Sequence, residues 1–115
     1  MIFGLHFATL DIRQDSEVHG TVLAAVAFVD ADPPVEQKVI KRVEAAVMKE
    51  VSEALGNTPA VVRGSYVDPR VVEAYEGGAT IAAAVKRAER VKDVAKAQAI
   101  LEKATRTLIR RVARG

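Results

Sequence analysis

Val35-Glu36-Gln37-Lys38-Val39-Ile40-Lys41-Arg42-Val43-Glu44-Ala45-Ala46-Val47-Met48-Lys49-Glu50-Val51-Ser52-Glu53-Ala54-Leu55 carries an aliphatic residue at every fourth position. That spacing sets Val35, Val39, Val43, Val47, Val51 and Leu55 on one helical face, widened by Ile40 and Ala54. Lys38, Lys41, Arg42, Lys49, Glu50 and Glu53 fall on other faces. The pattern predicts an amphipathic helix over 35–55, stopped by Gly56 in the left-handed conformation that glycine adopts without a Cβ penalty.

Further helices follow on both sides. Residues 17–30 are almost continuously apolar and predict a helix touched on several sides, with Asp15 or Ser16 as N-cap. Pro33-Pro34 breaks the chain after it, and Asp30 and Asp32 read as helix-boundary residues rather than paired carboxylates. Thr58 with Pro59 starts a short helix to about Gly64, and Asp68 with Pro69 starts another through Tyr75, ended by Gly77-Gly78. Thr80 opens a run to about Val91. Asp93 caps a last helix whose stripe is Val94, Ala97, Ile100, Leu101, Ala104, Leu108 and Val112. Apart from an extended piece within Met1–Leu10, nothing reads as strand. The expectation is an all-α unit, divided into residues 1–16 as a divergent N-terminal segment, 17–91 as the helical unit and 92–115 as a basic C-terminal helix.

Composition narrows the chemistry. With 115 residues and 4% aromatics, the core has to be built from Ala, Val, Leu and Ile. The absence of cysteine rules out disulfides and thiolate metal sites. His6 and His19 have no ligand spacing, so no metal site is expected. No stretch has the roughly 18 apolar residues of a membrane span, and Met1–Leu10 lacks the basic region of a signal peptide. A cytoplasmic location is the expectation. From Lys86 to Gly115, ten basic residues against three acidic ones give a local charge of +7, leaving −5 on the other 85 residues of a chain of net charge +2. Lys86, Arg87, Arg90, Lys96, Arg106, Arg110 and Arg111 are therefore candidates for phosphate contact, against the plainer reading of a solvated helix face.

Chemistry concentrates in the run from Leu55 to Arg70, which places Tyr66 between two helices with Asn57 nine residues before it and Arg63 and Arg70 on either side. A phenol with a reference pKa of about 10 is a weak nucleophile at neutral pH. Attack on a phosphodiester therefore needs fixed cationic or amide donors around phosphorus and a proton donor for the leaving oxygen. Taken without further context, a tyrosine at such a junction is most often a half-buried packing residue.

The stretch Leu55-Gly56-Asn57-Thr58-Pro59-Ala60-Val61, continuing through Arg63, Ser65-Tyr66 and Pro69-Arg70-Val71 to Ala74-Tyr75, resembles the bacterial type IB DNA topoisomerases around their catalytic tyrosine. His19-Gly20-Thr21-Val22-Leu23-Ala24-Ala25 is similar to a helix opening of the same family, so the resemblance spans about His19 to Ile81. It implies the C-terminal portion of a tyrosine-transesterase catalytic domain that relaxes supercoiled double-stranded DNA through a 3′-phosphotyrosyl bond, in the nucleoid and without metal or small-molecule cofactor. Tyr66 then matches the nucleophile, and Asn57 stands where relatives place a histidine or asparagine donating to a phosphate oxygen. Arg63 and Arg70 match positions of helix packing or DNA backbone contact. The family carries Asp-Phe/Leu-Arg-Thr-Trp/Tyr directly before His-Gly-Thr. Here Asp11-Ile12-Arg13 imitates its start, Gln14-Asp15 replaces its end, and an ungapped alignment puts Ser16 at the catalytic place. Arg13 is the candidate second catalytic arginine.

Two other classes share these features. Tyrosine recombinases have the Leu-Gly…Tyr layout but carry a His-x-x-Arg box that this chain lacks, and a non-enzymatic helical DNA-binding fragment needs only the basic tail. The resemblance also implies an upstream arginine and a general-acid lysine, for which the residues before His19 offer no match. Loss of single members of such a site removes most of the rate. The expected outcome is little or no relaxation of supercoiled plasmid by the 115-residue chain alone. Robust magnesium-independent relaxation abolished by Tyr66→Phe would overturn that expectation.

Overall fold

The computed structural model describes residues 16–114, and every regular element among them is helical: α1 (Ser16–Val29), α2 (Gln37–Leu55), α3 (Pro59–Val61), a π-helical turn (Val62–Tyr66), α4 (Pro69–Glu76), α5 (Ala82–Glu89) and α6 (Val94–Arg114). Asp15 and the extended piece expected near the N-terminus lie outside the described residues.

The continuous apolar run in α1 has a direct structural cause. Val22 through Phe28 are all buried, with Leu23 and Ala24 fully so. α1 is the central post of the fold: α2, the π-turn, α4, α5 and α6 all pack on it. Full burial of each valine or leucine there contributes about 1.5–3 kcal/mol. Val43, Val47, Met48 and Val51 complete the core from α2, and Leu101 and Leu108 enter it from α6.

The α2 pattern holds from residue 37 rather than 35. The Val35 N–H donates to the Pro33 carbonyl at 2.9 Å, a tight turn that uses the amide outside the helix. Glu36 is extended at φ −137°, and Val35 is 78% exposed, so the stripe effectively begins at Val39. At the other end Gly56 adopts φ +69°, and its N–H and that of Asn57 both donate to the Ser52 carbonyl. This is the left-handed stop expected there.

Local caps set the remaining boundaries. Asp68 Oδ1 accepts from the Arg70 N–H at 2.9 Å, and Asp93 Oδ1 accepts from the amides of Ala95 and Lys96. Thr80 Oγ1 accepts from Ala82 N–H, so the threonine acts one residue before the junction and α5 begins at Ala82. The amides of Arg90 and Val91 fold back onto Arg87 and Ala88, which ends α5 at Glu89 instead of Val91. Tyr75, expected only as a helix end, is a buried anchor. Its hydroxyl donates to the Asp32 carbonyl at 2.7 Å, and its ring stacks on Phe28 with centroids 4.6 Å apart.

One contact governs how the tyrosine segment meets this frame. A Cβ built at Gly20 would lie 2.8 Å from the Tyr66 carbonyl carbon and from its Cβ, and closer still to its carbonyl oxygen. Beside it Thr21 Oγ1 donates to the Tyr66 carbonyl at 3.4 Å and accepts from the Asp68 N–H at 3.1 Å. Only glycine lets α1 approach the backbone this closely. Gly20→Ala is expected to cost about 1–3 kcal/mol or more through forced displacement of backbone. A urea titration should show a lowered midpoint, and an unchanged midpoint would mean that this approach is not held in solution.

Candidate functional site

The short helix expected up to about Gly64 is only Pro59–Val61 before the coil widens. Thr58 caps it by accepting from the Val61 N–H, and the Val67 N–H then donates to the Val62 carbonyl at 3.1 Å, a bond spanning five residues. Tyr66 is thus the last residue of a π-turn rather than a residue beyond a helix. Such turns displace side chains from helical register and are frequent at functional sites. Val67 leaves the turn extended and buried, which fixes the exit direction.

Tyr66 is half-buried against the core and lines an open hollow of about 400 Å³ together with Thr21, Ser65, Asp68, Arg70 and Glu73. The hollow brings Tyr66 and Arg70 together. It does not include Asn57 or Arg63. Asn57 is exposed at the end of α2. Arg63 turns toward α2, where its Nη1 lies 3.9 Å from Glu44 Oε1. Arg13 lies outside the described residues.

Arg70 is already engaged. Its Nη2 donates to Asp68 Oδ2 at 2.8 Å and its Nε to Asp68 Oδ1 at 3.0 Å, a two-point fork. The guanidinium hydrogen bonds hold the Asp68 carboxyl below its usual range, and Asp68 in turn raises Arg70. The start of α4 is likewise occupied, because the Asp68 side chain takes the Arg70 amide. With Asp68 and Glu73 lining it, the hollow has two carboxylates to one arginine.

Three of the candidate basic residues line two separate hollows beside α6. Lys86, Arg87, Arg90, Lys96, Arg106, Arg110 and Arg111 are all exposed. Arg106 lines a hollow of about 340 Å³ with Thr21, Asp68, Glu102 and Thr105, adjoining the tyrosine hollow through the shared Thr21 and Asp68. Arg87 and Arg111 line a separate groove between α5 and α6. Among the described residues no group of three His, Cys, Asp or Glu side chains is arranged to hold a metal ion, and no helix is long and apolar enough to cross a membrane.

Two roles emerge only from the three-dimensional arrangement. Gly20 and Thr21, which the sequence offered only as part of a resembling helix opening, hold the tyrosine backbone. Glu44 is the other: buried on α2, its Oε2 has no hydrogen-bond partner. Burial, then the neighbouring Glu76 carboxyl, push it up to about 7, with Arg63 opposing. Its charged neighbours in sequence, Lys41 and Arg42, are exposed and gave no sign of its burial. No family model, curated protein or solved structure matches the chain.

Because Glu44 is raised from its ordinary 4.5, the folded state binds the extra proton, so stability falls as pH rises from about 4.5 to about 7 and then levels off. Glu44→Gln removes that ionisation. It is expected to raise stability at pH 8 on the order of 1–3 kcal/mol and to flatten the fall between pH 5 and 7. Denaturant titrations at pH 5 and pH 8 would show it, and an equal effect at both would refute the assignment.

Proposed function

We propose that the chain belongs with the type IB DNA topoisomerases and acts on double-stranded DNA, with Tyr66 as nucleophile. The carrying observation is that the two stretches resembling that family touch each other: Gly20 and Thr21 meet the backbone of Tyr66 and Asp68. A segment that must present a phenol to a phosphorus atom needs its main chain pinned, and that contact supplies the pinning. The π-turn and the open hollow support the same reading.

In the proposed reaction a bond forms between Tyr66 Oη and phosphorus as the bond from phosphorus to the 5′ oxygen breaks. The phenolic proton passes to water, and the 5′ oxygen takes a proton from water as it leaves. Rotation of the freed strand and the reverse attack relax the duplex. In this reading the Asn57 amide donates to a non-bridging oxygen and Arg13 supplies a second, cationic donor. The step needs neither metal nor cofactor. In this state Arg70 is closed on Asp68, so its part is to hold the start of α4 rather than the phosphate.

A second reading, a helical DNA-binding unit without catalysis, is favoured by that same closed fork and by Asn57 lying outside the tyrosine hollow. One experiment separates the two. A duplex carrying a 5′-bridging phosphorothioate releases a thiolate, which needs no proton donor, so the upstream lysine implied by the resemblance is not required. The expected outcome, in EDTA, is a detergent-stable protein–DNA adduct that Tyr66→Phe abolishes. Duplex binding with no adduct would leave the non-catalytic reading standing and refute the nucleophile.

A further inference from the structure

The groove between α5 and α6, about 450 Å³ in volume, is lined by three cations and no carboxylate. Arg87 comes from the last turn of α5, while Lys103 and Arg111 stand eight residues apart on α6, with Thr107 between them. All three cations are exposed, and none is held in an ion pair among the described residues. Glu102, the carboxylate next to Lys103 in sequence, faces the other side of α6. This concentration of unpaired positive charge contrasts with the tyrosine hollow, where carboxylates outnumber arginine, and the two share no lining residue.

We infer that this groove is an anchoring site for the phosphodiester backbone of duplex DNA, distinct from the tyrosine hollow. Charge complementarity selects a polyanion. Lys103 and Arg111 are separated by roughly 12 Å of helix axis, a span that covers more than one phosphate of a strand. The groove contains no aromatic ring, so it offers none of the stacking platforms that single strands use. Its floor is aliphatic, including Ala84 and Leu108, and both are buried. None of the exposed large apolar side chains lies in it, which weighs against insertion into a lipid surface. Contacts of this kind position the duplex without reading its sequence.

The inference takes its choice of duplex DNA from the function proposed above but does not depend on Tyr66 being a nucleophile. Binding of the full chain to a labelled 20-base-pair duplex of arbitrary sequence, measured from low to moderate salt, tests it. Each phosphate contact contributes about 0.9 to the slope of log affinity against log salt. Changing Arg87, Lys103 and Arg111 together to Gln is expected to lower that slope by about 2.7 and to weaken binding at least tenfold. Removing Lys38, Lys41 and Lys49 from α2 takes away equal charge elsewhere and should leave the slope nearly unchanged. Anchoring is read from the salt slope and nucleophile chemistry from the covalent adduct, so loss of one is told apart from loss of the other. Equal losses from both triple variants, or no loss from the groove variant, would overturn the inference. Should the groove variant fail to fold, Arg111→Gln alone must still lower the slope by about 0.9.

Discussion

The closest constraint in this molecule is the approach of α1 to the backbone of Tyr66, allowed by the missing side chain of Gly20 and fastened by the Thr21 hydroxyl. The hydroxyl works in both directions, donating to the carbonyl that ends the π-turn and accepting from the amide that opens the next segment. Two hydrogen bonds of about 1 kcal/mol each would be modest elsewhere. Here they fix two backbone groups on either side of Val67, which is itself buried, so turn, exit and the start of α4 are held as one piece. Since α1 is buried on nearly all sides, that piece is referenced to the whole core rather than to a neighbouring loop.

Much of this architecture was legible residue by residue. The fourfold valine spacing of α2, the Gly56 stop, and the caps at Thr58, Asp68 and Asp93 are local effects, settled by side chains bonding amides two or three positions away. What escaped depends on partners remote in sequence. The π-turn arises where the Val67 amide reaches back five residues while Gly20 presses from 46 residues upstream, and no local pattern announces it. Tyr75 looked like a helix end because its partners, Phe28 and the Asp32 carbonyl, lie more than 40 residues away. For the site, Tyr66 and Arg70, near each other in sequence, line one hollow, but linear proximity could not tell that Asp68 would claim the arginine or that Asn57 would sit outside.

The division of charge follows from helix geometry. On α6, positions 103, 107 and 111 share one face, and 102, 105, 106 and 109 another, so a basic helix that looks uniform in one dimension presents a purely cationic groove on one side and a mixed surface on the other. Likewise Glu44 sits among exposed charged neighbours in sequence yet faces inward, between the ends of α4 and the π-turn. Its burial ties the protonation of a carboxyl on α2 to Arg63, three residues before the tyrosine.

The two tyrosines occupy opposite environments, and the chain has no tryptophan. Tyr75 is sealed beneath Phe28 with its hydroxyl on a main-chain oxygen, while Tyr66 stands at the edge of solvent. Tyrosine absorbance and emission therefore come from one ring inside the core and one at the hollow, without any attached dye. An aqueous quencher reaches the outer ring first, so the molecule carries its own optical gauge, with one channel for integrity of the interior and another for occupancy of the surface.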